Sequence, residues 1–277
     1  MSTRYDAEHI SHFFDAYGEH EWNRFEAPLD RVSLHLHTHY LERFVQPEMH
    51  VLDAGAGPGR FTIELAKQGA QVTVGDISEE QLAQNCERVE EARLESFVHA
   101  RHKLDITDLS RFEDATFDAT LCYGGPLSYV MERADDALSE LLRVTKPGGP
   151  LLLSVMSKVG ATRVFLPGVL EFLRLHGPDA AEEVIETGIL PKDFARGHAM
   201  KMYTWAELQE LLARHGCEII AASASNHLTT SHTEEVGEVY EQEEEVWGRL
   251  LEWERKVCGE PGNLDGGTHI IAVVRRE

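Results

Sequence analysis

Residues 51–61 read Val-Leu-Asp-Ala-Gly-Ala-Gly-Pro-Gly-Arg-Phe: an apolar strand ending in an acid, three glycines at alternate positions, then a helix start. Glycines at 55, 57 and 59 let the backbone turn where a Cβ would collide, and a helix from about Arg60 aims free N–H groups at a ligand. The spacing bears on which ligand. A dinucleotide turn, GxGxxG, needs its third glycine at position 60, which is Arg60 here, and a carboxylate at Asp53 is ill-placed beside a pyrophosphate. It suits an ammonium. Residues 71–76, Gln-Val-Thr-Val-Gly-Asp, form a second strand pattern ending in an acid, placed to take two ribose hydroxyls. Nicotinamide proteins share that second acid, so it does not discriminate by itself.

Fifteen histidines supply candidates for a base near neutral pH. His198 and His227 fall where the chain should lie at the carboxyl edge of a sheet; His198 is the first candidate base and Tyr203 a candidate proton relay. His35, His37 and His39 invite a metal reading, but on a helix only His35 and His39 share a face, and no acid or cysteine cluster completes a shell. No metal is expected.

The elements that must position these groups follow from periodicity and caps. Helical character over 9–14 and 29–45, with Leu34, Leu41 and Val45 near helical spacing, precedes the first strand, and 18–24 breaks the two. Ser78 with Gln81 reads as a capping box opening a helix to about Arg93. Strands follow at 97–100, 117–123 and 151–155. Residues 168–188 suggest one or two helices broken at Gly177-Pro178, and 191–203 an irregular stretch holding His198, Lys201 and Tyr203. Thr204 with Glu207 is a second capping box, opening a helix to about His215 that leads to a strand at 218–224. A charged helical excursion over 234–257 returns to a last strand at 269–274.

This order implies an α/β fold: a doubly wound, seven-stranded, mostly parallel sheet with an antiparallel last strand, an N-terminal helical lid and helical insertions after strands five and six. It reads as a single domain over 1–277, with a lid at 1–48, a cofactor core at 49–157 and substrate-side insertions at 158–277. Both insertions leave from carboxyl ends of strands, where they should roof a substrate pocket.

The DxGxGxG run, the acid of the second strand and the Lys146-Pro147-Gly148-Gly149 turn before the fifth strand together resemble the class I S-adenosylmethionine-dependent methyltransferases, over about 51–157. The resemblance implies that S-adenosylmethionine lies along the turn (Asp53, Ala54, Gly55, Gly57, Gly59, Arg60, Phe61), with Asp53 gripping its ammonium. It implies further that Asp76 takes the ribose, Ile77 packs on adenine beside Gln81, Asp105 and Ile106 meet the adenine edge, and Tyr123 and Gly124 flank the far end. Tyr17, Trp22 and Arg24 resemble the lid of small-molecule methyltransferases. S-adenosylhomocysteine would be the product. Tyr123-Gly124-Gly125-Pro126 carries neither the acids of the magnesium-dependent members nor the Asn or Asp of those that methylate amino groups. An oxygen acceptor is favoured over nitrogen or carbon.

A formal net charge of −22, from 26 basic and 48 acidic residues, opposes nucleic acid as a partner and suits a small molecule. The four cysteines are scattered, no signal-like or membrane-spanning run is present, and a cytoplasmic protein is expected; oligomeric state is not readable. Three other readings share parts of the pattern: a nicotinamide oxidoreductase or epimerase, an aminopropyl transferase, and a non-catalytic protein that binds S-adenosylmethionine or its product.

Overall fold

The computed structural model describes residues 4–192 and 197–277. Three helices lead the chain: α1 (Ala7–Tyr17), α2 (His20–Asn23) and α3 (Pro28–Phe44). The core alternates β1 (His50–Ala54), α4 (Arg60–Lys67), β2 (Gln71–Asp76), α5 (Glu79–Glu91), β3 (Val98–Lys103), β4 (Ala119–Cys122), α6 (Pro126–Tyr129), α7 (Ala134–Val144) and β5 (Leu151–Met156). Next come α8 (Lys158–Val164), α9 (Leu166–His176), α10 (Pro178–Thr187) and a short antiparallel pair, β6 (Ile189–Leu190) with β7 (Met200–Lys201). The chain closes with α11 (Trp205–Arg214), β8 (Glu218–Ala224), α12 (Thr233–Gln242), α13 (Glu244–Cys258) and β9 (His269–Arg275).

Seven strands form one sheet in the order β3-β2-β1-β4-β5-β9-β8. β9 runs antiparallel to both neighbours, returning between β5 and β8, and the remaining pairs are parallel. The doubly wound sheet with an antiparallel last strand expected from the sequence is the one observed.

Two-residue alternation explains the three layers. On β5, Leu151 and Leu153 face one side while Leu152 faces the other; on β9, Ile270, Ala272 and Val274 oppose Ile271 and Val273. One face packs on Leu138, Leu141 and Leu142 of α7 and Leu208, Leu211 and Leu212 of α11. The other packs on Val32, Leu36 and Leu41 of α3 and Phe61 and Leu65 of α4. Each fully buried Leu contributes roughly 1.5–3 kcal/mol, so the sheet is a rigid floor for the loops at its carboxyl edge.

Differences from the sequence reading lie outside this floor. The first insertion holds three helices, because Ser157 caps an additional one by accepting from Gly160 N. The second does not roof a pocket: α12 and α13 pack along α3, where Trp247 and Leu251 join the core beneath it. Thr204 and Glu207 form the expected reciprocal box. Ser78 is a one-sided cap, since its hydroxyl accepts from Gln81 N while the Gln81 side chain is engaged elsewhere.

Candidate active site

The strand order reverses between β1 and β4, and over that crevice opens a cavity whose empty space, open solvent included, is about 850 Å³. Its floor is the β1–α4 turn. Gly55, Gly57 and Gly59 all have positive φ (+77°, +52° and +99°), and a Cβ on Gly55 would collide with the Pro126 ring. The Gly55 and Ala56 N–H groups donate to Gly75 O (2.8 and 3.1 Å), tying the turn to β2.

One end of the cavity belongs to β2 and β3. Asp76 Oδ2 accepts from Gly57 N (2.8 Å) and Oδ1 from Ser78 N (2.9 Å), and burial pushes its carboxyl up to about 6. Ile77, Leu104, Asp105 and Ile106 complete that end. At the other end stand Arg24, Phe25, Phe61, Tyr123, Gly124 and Tyr129.

The N-terminal helices form the cover. Tyr5, Ile10, Phe14, Glu21 and Arg24 line the cavity, and polar bonds fasten them to the core. Tyr5 OH donates to Asp105 Oδ2 (2.7 Å), Ser11 Oγ to Ile77 O (2.9 Å), Ser78 Oγ to Asp15 Oδ1 (2.6 Å), and Gln81 Nε2 to Phe14 O and Gly18 O (both 3.1 Å). Arg24 pairs with Glu21 (2.9 Å) on the inner side of this cover.

Of the residues expected around a cofactor, Arg24, Gly55, Gly57, Arg60, Phe61, Asp76, Ile77, Gln81, Asp105, Ile106, Tyr123 and Gly124 line the cavity. Asp53, Ala54, Gly59, Tyr17 and Trp22 are not among the lining residues. Asp53 turns behind the glycine turn: it is 2% exposed, its Oδ2 accepts from Thr62 Oγ1 (2.6 Å), and burial pushes its carboxyl up to about 7. Gly59 caps α4 at its outer end, where a side chain would meet Asn85. Trp22 lies beneath the Arg60 guanidinium, 3.6 Å from its ring centroid, while Tyr17 stacks on Phe13.

Neither expected catalytic side chain lines the cavity. His198 is 5% exposed in an aromatic wedge, its ring 4.5 Å from Phe13 and 4.7 Å from Tyr129, and burial lowers its basicity. It backs the cavity wall rather than facing the cavity. Tyr203 is in the hydrophobic core, its backbone bridged to Ser157 and its phenol pushed upward by burial. His227 belongs to a loop whose N–H donates to the buried Glu254.

Two other histidines lie near the cavity's far end: His37, which the sequence offered only as a metal ligand, and His269. His37 points inward from α3 at 2% exposure, its ring 4.7 Å from Tyr123, 5.5 Å from Phe61 and 6.2 Å from His269 on β9. Its Nδ1 is 2.7 Å from Ser33 O, so Nδ1 carries the hydrogen, and burial lowers the group to about 4. The signal was available: helical geometry sets His37 on the face opposite His35 and His39. Glu21, Phe14 and Tyr5 left no comparable mark, because only the closed cover brings them over the turn. Among the described residues no three His, Cys, Asp or Glu side chains group as a metal site would require.

Residues 51–149 match the family model described as a methyltransferase domain. A demethylmenaquinone methyltransferase of Clavibacter sepedonicus is 39% identical over 107 residues, which cover 39% of this chain and 41% of that protein. The chain thus spans well under two thirds of this relative's length. Among solved structures, the magnesium protoporphyrin IX methyltransferase of Synechocystis PCC 6803, with bound S-adenosylhomocysteine, superposes with a TM-score of 0.64 at 17% identity, covering 98% of this chain and all (100%) of that one. The 1,6-didemethyltoxoflavin-N1-methyltransferase of Burkholderia thailandensis, with its substrate and S-adenosylhomocysteine, gives a TM-score of 0.59 at 18% identity, covering 98% and 88%. These two likenesses establish the fold. Glycine turn, second-strand acid, strand order and matched domain converge: residues 51–149 match a methyltransferase domain, set in a chain with the fold of the methyltransferases it superposes on.

Proposed function

We propose that this protein transfers a methyl group from S-adenosylmethionine to an oxygen atom of a small molecule. The observation that carries the reading is the two-ended cavity over the glycine turn, with Asp76 and Asp105 at one end and the aromatic far end at Tyr123.

The residues present suit the cofactor. Gly57 leaves space that a side chain would fill beside Glu21 and Gln81, and the buried Gln81 Oε1 has no partner among the described residues. Asp76 would hold the ribose, Ile77 and Ile106 the adenine, and the turn around Gly55–Gly57 the methionine portion, with Arg24 within reach of its carboxylate. When bound, the cofactor supplies an activated methyl carbon whose bonding pair leaves with sulfur as a neutral thioether.

The protein's own task is then orientation and dryness. Holding a nucleophile at near-attack distance, ~3–3.5 Å, contributes roughly 7–11 kcal/mol when alignment is good. Phe14, Phe25, Phe61 and Tyr129 supply apolar walls around that place. His198 supports Phe14 and Tyr129 from behind. At the β4 end Gly124 and Gly125 offer no side-chain amide to a planar nitrogen, and Gly124 N donates to Ser154 Oγ (2.9 Å), which favours oxygen. The Clavibacter relative's name also points to a small-molecule acceptor.

Calorimetry should give micromolar binding of S-adenosylhomocysteine and none of NAD(H); the reverse would remove the proposal. Radiolabelled methyl transfer into metabolite extracts, read by mass, should then show a product one methyl heavier. An aminopropyl gain would mark an aminopropyl transferase, and tight cofactor binding without any product a binding module.

A further inference from the structure

A second, smaller cavity adjoins the first. Its empty space, open solvent included, is about 350 Å³, and it shares Tyr5, Ile10 and Tyr129 with the larger one. Tyr5 is bonded to Asp105 at the adenosine end and Tyr129 stands at the other, so the shared wall runs beside the middle of the cleft. In the pose above the donor sulfur falls there, because sulfur joins the adenosyl and methionine portions. Tyr5 and Tyr129 are only partly buried, and both cavities reach their side chains.

The two cavities differ in charge. The larger is lined by Glu21, Asp76 and Asp105 against Arg24 and Arg60, which suits a donor bearing an ammonium and a sulfonium. The smaller is lined, among the described residues, by Arg4, Lys192 and His9 against Asp6 alone. Asp6 is already committed, since its Oδ1 accepts from His9 N (3.0 Å) and caps α1. His9 Nε2 lies 2.6 Å from Gly197 O and therefore carries the hydrogen. Neither Arg4 nor Lys192 pairs with a carboxylate among the described residues. Two uncommitted cations in one recess run against a composition of 48 acidic and 26 basic residues. They come from different parts of the chain: Arg4 precedes α1, and Lys192 follows β6 in the first insertion. Ile10 and Met131 add apolar surface for a carbon frame, and Met131 is held at φ +51°, a backbone that residues with a side chain rarely adopt.

We infer that the smaller cavity seats the anionic group of the methyl acceptor: a small organic acid whose carboxylate lies between Arg4 and Lys192 while its other end reaches over Tyr129 into the larger cavity. This rests on the methyl-transfer reading above and adds the substrate class. Arg4 and Lys192 are binding residues that choose among acceptors, and the atoms that exchange the methyl group lie beyond them, beside the donor.

4-Hydroxybenzoate, with a carboxylate at one end of a flat ring and a hydroxyl at the other, is the probe, and its uncharged amide, 4-hydroxybenzamide, is the control. In equilibrium dialysis at about 50 mM salt, the full chain saturated with S-adenosylhomocysteine should bind the acid roughly tenfold more tightly than the amide, the scale of a charge-assisted hydrogen bond. The double variant Arg4→Gln, Lys192→Gln should lose that preference and bind S-adenosylhomocysteine as the wild type does. Both residues are exposed, so the fold should stand in the variant. Lys192→Arg, which keeps the charge, should keep the preference for the acid. Raising salt to about 500 mM should narrow the preference in the wild type. A wild type that binds S-adenosylhomocysteine but takes neither probe, or both alike, would overturn the subsite alone, as would a double variant that still prefers the acid. Failure of the wild type to bind S-adenosylhomocysteine would overturn both readings.

Discussion

Asp53 and Asp76 end adjacent parallel strands, yet they meet different surroundings. Asp53 is sealed behind the turn with Thr62, while Asp76 holds the Gly57 and Ser78 amides at the cavity. Burial raises Asp53 from 3.8 to about 7. In the folded state it keeps its proton where the unfolded chain has lost it, so its contribution is complete below about pH 4 and is lost as pH rises through about 7. Asp53→Asn retains an acceptor for Thr62 and cannot ionise. Its stability should match wild type below about pH 4 and exceed it increasingly up to about pH 8, by on the order of 4 kcal/mol at most. Thermal melts across that range check this; a constant offset would refute it. Titrating S-adenosylhomocysteine into the same variant tests the ammonium-gripping role expected from sequence. Asp76→Ala should weaken S-adenosylhomocysteine by roughly 1.5–3 kcal/mol, the scale of hydrogen bonds to a charged group, as measured by calorimetry.

The elements outside the nucleotide half act as braces. Glu254 on α13 is fully buried and accepts from the N–H groups of His227, Leu228 and Thr229 and from the Thr229 hydroxyl, pinning the loop after β8. Glu254→Ala should therefore cost about 2–4 kcal/mol in denaturant unfolding, because several buried donors lose one carboxylate. Thr204→Ala, which removes only a cap, should cost about 1 kcal/mol. The core elements were legible because each carries its own local cause: alternating apolar residues for β5 and β9, Thr204 with Glu207 for α11, three glycines for the turn. The cover was legible only as helices. Which of its side chains face inward depends on how α1 and α2 sit on α5, and that angle leaves no period in the sequence. Hence Arg24 was anticipated and Glu21 was not. The same holds for α12 and α13, whose amphipathic pattern marks a buried face but not the element beneath it.

At the scale of the molecule, 48 acidic against 26 basic residues make a broadly negative field. S-adenosylmethionine carries one more positive charge than S-adenosylhomocysteine, so the field favours donor over product and salt screens that preference. Raising ionic strength from about 50 to 500 mM should weaken donor binding a few-fold more than product binding. Equal salt dependence of the two would argue against it. Among the described residues no helix is long and apolar enough to cross a membrane. The fastening of the cover has a consequence for entry. Tyr5 is clasped to Asp105, and Gln81 to the end of α1, by the same side chains the proposed pose gives to the nucleoside. On that pose a guest would have to displace the clasp, and Gly18, at φ +52° between α1 and α2, is the joint about which such a clasp would open.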